Sequence, residues 1–187
     1  CGGDGTGKTT IAQQAALARI RGGEVMRYPI QPTAQKVLYI AADRPKQARR
    51  SLRRMVSEAE RELLDGRLIV IPEAVPLEKL EEVAAGLGAD TVFIDTLGAV
   101  VDGDIASDSV GMRVYHALQA LCRNGIEVCL LHHSRKQGDE YRGIEEVHGS
   151  RWITAPCGSV LLLRGKPGAD TTLLRHVKQP SEAITGK

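Results

Sequence analysis

Within the first ten residues, Gly2, Gly3, Asp4, Gly5, Thr6, Gly7, Lys8 and Thr9 follow the spacing G-x-x-x-x-G-K-T, and Thr10 follows directly. That spacing builds a loop able to cradle phosphate groups. Its glycines open backbone conformations closed to other residues, so successive N–H groups can converge on phosphate oxygens. Lys8 brings a compact cation to the β- and γ-phosphates, and the Thr9 hydroxyl is a hard-oxygen ligand suited to Mg²⁺. A glycine-rich turn could match by chance. Four glycines, a lysine and two threonines in register argue against that, and imply binding of ATP with Mg²⁺.

A second set of chemistry-bearing residues stands at the ends of apolar runs. Residues 91–95 (TVFID) end in Asp95, the form of a Walker B strand whose carboxylate would hold the metal opposite Thr9. Thr96 follows where a Glu would have supplied a base, so the base must come from elsewhere. Asp43 ends the run 37–43 (VLYIAAD), and if that strand lies beside the Asp95 strand both carboxylates emerge at one sheet edge. Asp43 either orients the attacking water or caps the helix starting near Pro45. The run 130–134 ends in His132 and His133, where an imidazole could hydrogen-bond the γ-phosphate and relay its loss to the next loop. Adjacent residues of a strand face opposite ways, so the pair is no metal site.

These residues need a scaffold, and the pattern supplies one. Apolar runs at 37–41, 68–71, 91–95 and 126–131 alternate with amphipathic segments at 44–64, 77–87 and 110–123, as in a mostly parallel α/β sheet flanked by helices. The segment after the loop, 11–18, reads as a helix whose N-terminus favours an anion. Ala48, Leu52, Met55, Val56, Ala59 and Leu63 fall on one face of the 44–64 segment. Runs at 160–163 and 171–177, separated by Gly165-Lys166-Pro167-Gly168, read as a C-terminal antiparallel hairpin.

Composition narrows the classes. The chain has 187 residues, room for one domain with a sizeable core, here a single domain spanning 1–187. Aromatics are only 3%, which excludes a broad base-stacking platform, and a net charge of +2 argues against strong non-specific DNA binding by one copy. Arg44, Lys46, Arg49, Arg50, Arg53 and Arg54 form the densest basic stretch. With Arg54 and Glu58 at salt-bridge spacing, it reads as a solvated face or subunit contact. The four cysteines lack metal or disulfide spacing, and with no secretory signal or membrane span this points to the cytoplasm. Both ends look cut: no strand precedes the loop, so the chain reads as a fragment that would fold poorly alone.

Taken together, the loop, the runs ending in Asp43 and Asp95, the His132-His133 strand, and the tail from His148-Gly149-Ser150-Arg151 to Gln179 resemble the RecA/DnaB-like ATPases. The likeness is closest to the hexameric replicative helicases of plasmids and phages. The resemblance implies a RecA-like P-loop core, a hexameric ring, single-stranded DNA as partner, and ATP hydrolysis driving unwinding in replication. Asp43 would take the place of the family's catalytic Glu, one methylene shorter. The His132-His133 strand would lie between the strands leading to the phosphate loop and to Asp95. Loops 101–109 and 135–151 would face the channel, with Arg135, Lys136, Arg142 and Arg151 touching DNA; the first loop, with Asp102, Asp104 and Asp108, suits this poorly. A cation from the neighbouring subunit would complete catalysis. Lys178 matches the family's lysine, Pro180 stands where an Arg is often found, and Arg175 and Arg151 are the other candidates. A strand-exchange recombinase shares this core, and a regulatory ATPase switch indifferent to DNA is a third reading.

Overall fold

The computed structural model describes residues 1–135, 141–166 and 168–180, which group into two compact units. One comprises Thr9–Asp102 and His116–Leu131, the other Cys1–Lys8, Gly103–Tyr115 and the described residues from His132 onward.

In the first unit, helix α1 (Lys8–Arg21) leads into a small antiparallel hairpin of β1 (Gly23–Val25) and β2 (Tyr28–Ile30). The sequence pattern missed this hairpin. Its strands have three residues each, and Met26 and Arg27 take the positive φ values of 54° and 68° that an Asn-Gly pair would have announced. There follow β3 (Val37–Ala41), α2 (Pro45–Met55), α3 (Arg61–Leu64), β4 (Leu68–Ile71), α4 (Leu80–Leu87), β5 (Thr91–Asp95), α5 (Leu97–Val100), the part of α6 (Asp108–Arg123) from His116 onward, and β6 (Glu127–Leu130). The strands form a four-stranded parallel sheet in the order β4-β3-β5-β6. Every residue of β3 and β5 is buried, as expected of strands covered on both faces. Tyr39 and Phe93, with rings stacked 5.9 Å apart, join Ala16, Leu17 and Ile20 of α1 and Ala48 and Leu52 of α2 in one apolar cluster. Gln13, fully buried in α1, donates to Ala48 O at 3.0 Å and ties the two helices.

The segment expected as one helix over 44–64 is broken. Val56 is extended (φ −117°, ψ 119°), and Ser57 starts a new turn by a reciprocal cap in which the Glu60 carboxylate accepts from the Ser57 N–H and hydroxyl. Ala59 and Leu63 are therefore exposed, and Leu64 takes the buried place. Arg54 does not meet Glu58, which pairs instead with Arg61 at 2.8 Å. Cys122, on α6, is exposed, and none of the four cysteines forms a disulfide.

In the second unit, β7 (Val160–Arg164) and β8 (Leu173–Lys178) form the expected antiparallel hairpin. The chain start runs beside it. Gly2 is bridged in parallel to both His133 and Leu163, with Gly2 N–H donating to His132 O at 3.2 Å and Leu163 N–H to Cys1 O at 2.9 Å. Among the described residues no helix is long and apolar enough to cross a membrane.

Candidate active site

The phosphate loop is built by close packing at its entry. A Cβ on Gly2 would stand 2.9 Å from both Leu163 O and Thr6 Oγ1, so only glycine fits there. Thr6 is buried and donates to Gly3 O at 2.8 Å, and Gly5 and Gly7 take φ values of 70° and 92°. Lys8 Nζ donates to Gly2 O at 2.9 Å and Gly3 O at 2.6 Å, which holds the ammonium over the loop. Thr9 and Thr10 lie in the first turn of α1, where helix N–H groups without intrahelical partners suit an anion.

Asp95 ends β5 and is buried, accepting from the Tyr39 hydroxyl at 2.8 Å. Burial first, then the Asp95 charge, raise the Tyr39 phenol far above its ordinary range, so it stays a donor. Nothing in the spacing named Tyr39; the available signal was a phenol in an otherwise aliphatic strand, which needs a partner when buried. The register pairs Ala41 with Asp95, and the N–H groups of Ala42 and Asp43 approach Asp95 O at 3.0 and 3.4 Å. The Asp43 and Asp95 strands are thus adjacent and end together, as expected. Asp43 itself is exposed, 3.7 Å from Arg44, and it does not cap α2, whose N-cap is Arg44 with no side-chain cap bond. The peptide between Asp95 and Thr96 is cis.

The two histidines have different surroundings. His132 is 2% exposed and its Nε2 lies 2.7 Å from His148 O. A carbonyl only accepts, so Nε2 carries the hydrogen, and the buried Nδ1 is an acceptor with no partner among the described residues. Burial lowers its pKa to about 4, with His133 and His148 adding to the shift and the bond to His148 opposing it. His133 is partly exposed, with Nδ1 3.1 Å from Asp4 of the phosphate loop. Of the pair, His133 is the one that reaches the loop.

The expected DNA-contacting cations divide as well. Arg135, Arg142 and Arg151 are exposed, while Lys136 lies outside the described residues. Glu146, buried among polar partners, anchors their loop: its backbone accepts from Arg135 N, its Oε1 from Arg142 N, and Arg164 Nε stands 3.4 Å from its Oε2, an ion pair without a well-formed hydrogen bond. Arg151 lies over the Trp152 ring at 5.4 Å. Lys178 donates to Thr154 O and Ala155 O, both at 3.0 Å, and Arg175 lies 4.3 Å over Tyr141.

A parallel sheet with carboxylates at the ends of adjacent strands, together with a glycine-rich loop that leads into a helix, defines a P-loop NTPase. A family model described as AAA domain matches residues 1–139. The chain belongs to that family and is an AAA-type P-loop ATPase domain. No curated protein matches the chain. The donor set suits a hard cation bound with a nucleotide: the Thr9 hydroxyl and Asp95 carboxylate are oxygen ligands, and the described residues hold no cluster of three or more His, Cys, Asp or Glu that would bind a metal by itself.

Proposed function

We propose that this domain hydrolyses Mg·ATP and couples it to movement on DNA, as the RecA-like motor of a hexameric replicative helicase. The observation that carries this reading is the pairing of the Asp43 and Asp95 strands, with Asp43 free of the capping role that competed for it. Thr9 and Asp95 would hold Mg²⁺, which would neutralise charge on the nucleotide's phosphates, and Tyr39 fixes the Asp95 carboxylate. The loop N–H groups from Gly3, Asp4, Gly5, Thr6 and Gly7 bind the phosphates, and Lys8 stabilises charge that grows as the phosphoryl group transfers. Asp43 orients the attacking water and accepts its proton. His133 carries the state of the loop, through Asp4, to the segment that bears Arg135, Arg142 and Arg151.

ATP turnover measured with and without single-stranded DNA tests this, alongside Asp43→Asn. The expected outcome is stimulation by DNA in the native chain, and a loss of at least about a hundredfold in Asp43→Asn with ATP binding retained. Turnover indifferent to DNA would favour a regulatory switch, and full activity in Asp43→Asn would end the role of Asp43.

A further inference from the structure

Helix α2 carries Lys46, Arg49, Arg50, Arg53 and Arg54, all exposed, at i, i+3, i+4, i+7 and i+8. That spacing sets five cations on one face along roughly 12 Å of helix. Ala48 and Leu52 occupy the opposite face and are buried in the core cluster. Among the described residues none of the five forms an ion pair, because the break at Val56 separates Arg54 from Glu58 and Glu58 is taken by Arg61. The nearest carboxylate pair, Asp43 with Arg44, lies at the helix start and leaves the ridge unneutralised. Like charges three and four residues apart repel, so the ridge opposes its own helix unless something anionic relieves it. The net charge of the whole chain is only +2, so outside this ridge the molecule is net acidic.

We propose that the α2 ridge is a binding surface for the phosphate backbone of a nucleic-acid strand, separate from the loops that bear Arg135, Arg142 and Arg151. Four of its five cations are arginines, whose planar forks match phosphate oxygens in pairs. An open groove of about 700 Å³ is lined by Arg44, Lys46, Arg50 and Arg54, with Gln47 and Ser51 as further polar walls and Pro45 as its one apolar lining residue. Neither an aromatic nor an aliphatic anchor stands on the ridge, so the partner is recognised by charge and spacing, which a phosphate backbone supplies and a peptide with apolar anchors does not. A membrane surface fits worse, because an interfacial helix inserts its apolar face and that face of α2 is spent in the core. Contacts of this kind position a strand without reading its sequence.

The test is fluorescence anisotropy of the full chain with a labelled single-stranded oligonucleotide, its duplex, and the RNA of the same sequence. Chelator present and nucleotide absent keep hydrolysis out of the readout, so a failed helicase reading and a failed ridge give different results. Arg49→Gln, Arg50→Gln, Arg53→Gln and Arg54→Gln are combined in one variant; all four positions are exposed, so folding should survive, and a matching thermal transition checks it. Log affinity against log salt should become shallower by about 3 for single strands, with affinity falling by similar factors for unrelated sequences. A control, Lys79→Gln with Arg123→Gln, should change the slope little. The proposal is overturned if the native chain binds no oligonucleotide at low ionic strength. Equal loss in the control overturns it, as does a slope that responds only to Arg142→Gln with Arg151→Gln. Polyglutamate or anionic vesicles competing as well as the oligonucleotide would overturn it too.

Discussion

At the scale of single residues, the site rests on partners that lock its charged groups. Tyr39→Phe removes the hydrogen bond to Asp95 Oδ2 and leaves a buried carboxylate oxygen without its donor. Denaturation midpoints should report a loss of about 1–3 kcal/mol, and an unchanged midpoint would mean that water replaces the phenol. His132 makes a different prediction, on pH. Its folded pKa of about 4 lies below the unfolded value of 6.5, so the unfolded state binds the proton first as pH falls. Its contribution is therefore complete above pH 6.5 and is lost on descending to about 4. The full loss is on the order of 3 kcal/mol. His132→Gln keeps a donor for His148 O and cannot charge, so urea midpoints of that variant should be flatter across this window than those of the native chain. Parallel curves would show that His132 does not carry the slope.

Elements show where sequence is sufficient and where it is not. The strands β3, β4, β5 and β6 were legible because each is a short aliphatic run between polar segments, and the full burial of the two central strands, β3 and β5, leaves no other use for theirs. The phosphate loop was legible because its chemistry is local. What the pattern could not hold was a competition decided by one residue: Val56 continues the apolar period of α2, yet the Ser57–Glu60 cap outweighs it and starts a separate turn. The choice between His132 and His133 was closed to sequence for a related reason, since burial of one and exposure of the other depend on Gly2 and His148, far away in the chain. Loop 101–109 read as acidic and unsuited to DNA, and its carboxylates do have other work. Asp104 accepts from Ala106 N at 2.9 Å, and Asp108 accepts from the Ser150 hydroxyl at 2.6 Å while Ser150 N–H reaches Ile105 O at 3.0 Å. Gly111 and Gly149 leave room for that junction, since a Cβ on Gly111 would meet Ser150 Oγ at 2.6 Å and one on Gly149 would meet Ile105 O at 2.8 Å. The two loops are therefore stitched together by these contacts.

For the whole molecule, the hexameric motor proposed above would need a cation from a neighbouring subunit to complete the transition state. Lys178, the sequence match, has its ammonium held by two carbonyls at 3.0 Å, and Arg175 is laid over Tyr141. Arg151 is exposed and its guanidinium lies over the Trp152 ring, with no carbonyl among the described residues holding it as the two carbonyls hold Lys178, which makes it the candidate with least to give up in reaching a neighbour. A cation supplied between subunits makes hydrolysis a property of the assembly, so specific activity should rise with protein concentration and saturate as subunits associate. The decisive measurement mixes two inactive variants, Arg151→Ala and Asp43→Asn. Each lacks one half of the machinery in every subunit. Random co-assembly of equal amounts places an intact Asp43 site against an intact Arg151 at roughly a quarter of the interfaces, and turnover should recover to that fraction. No recovery on mixing, with co-assembly verified, would mean that Arg151 acts within its own subunit or not at all.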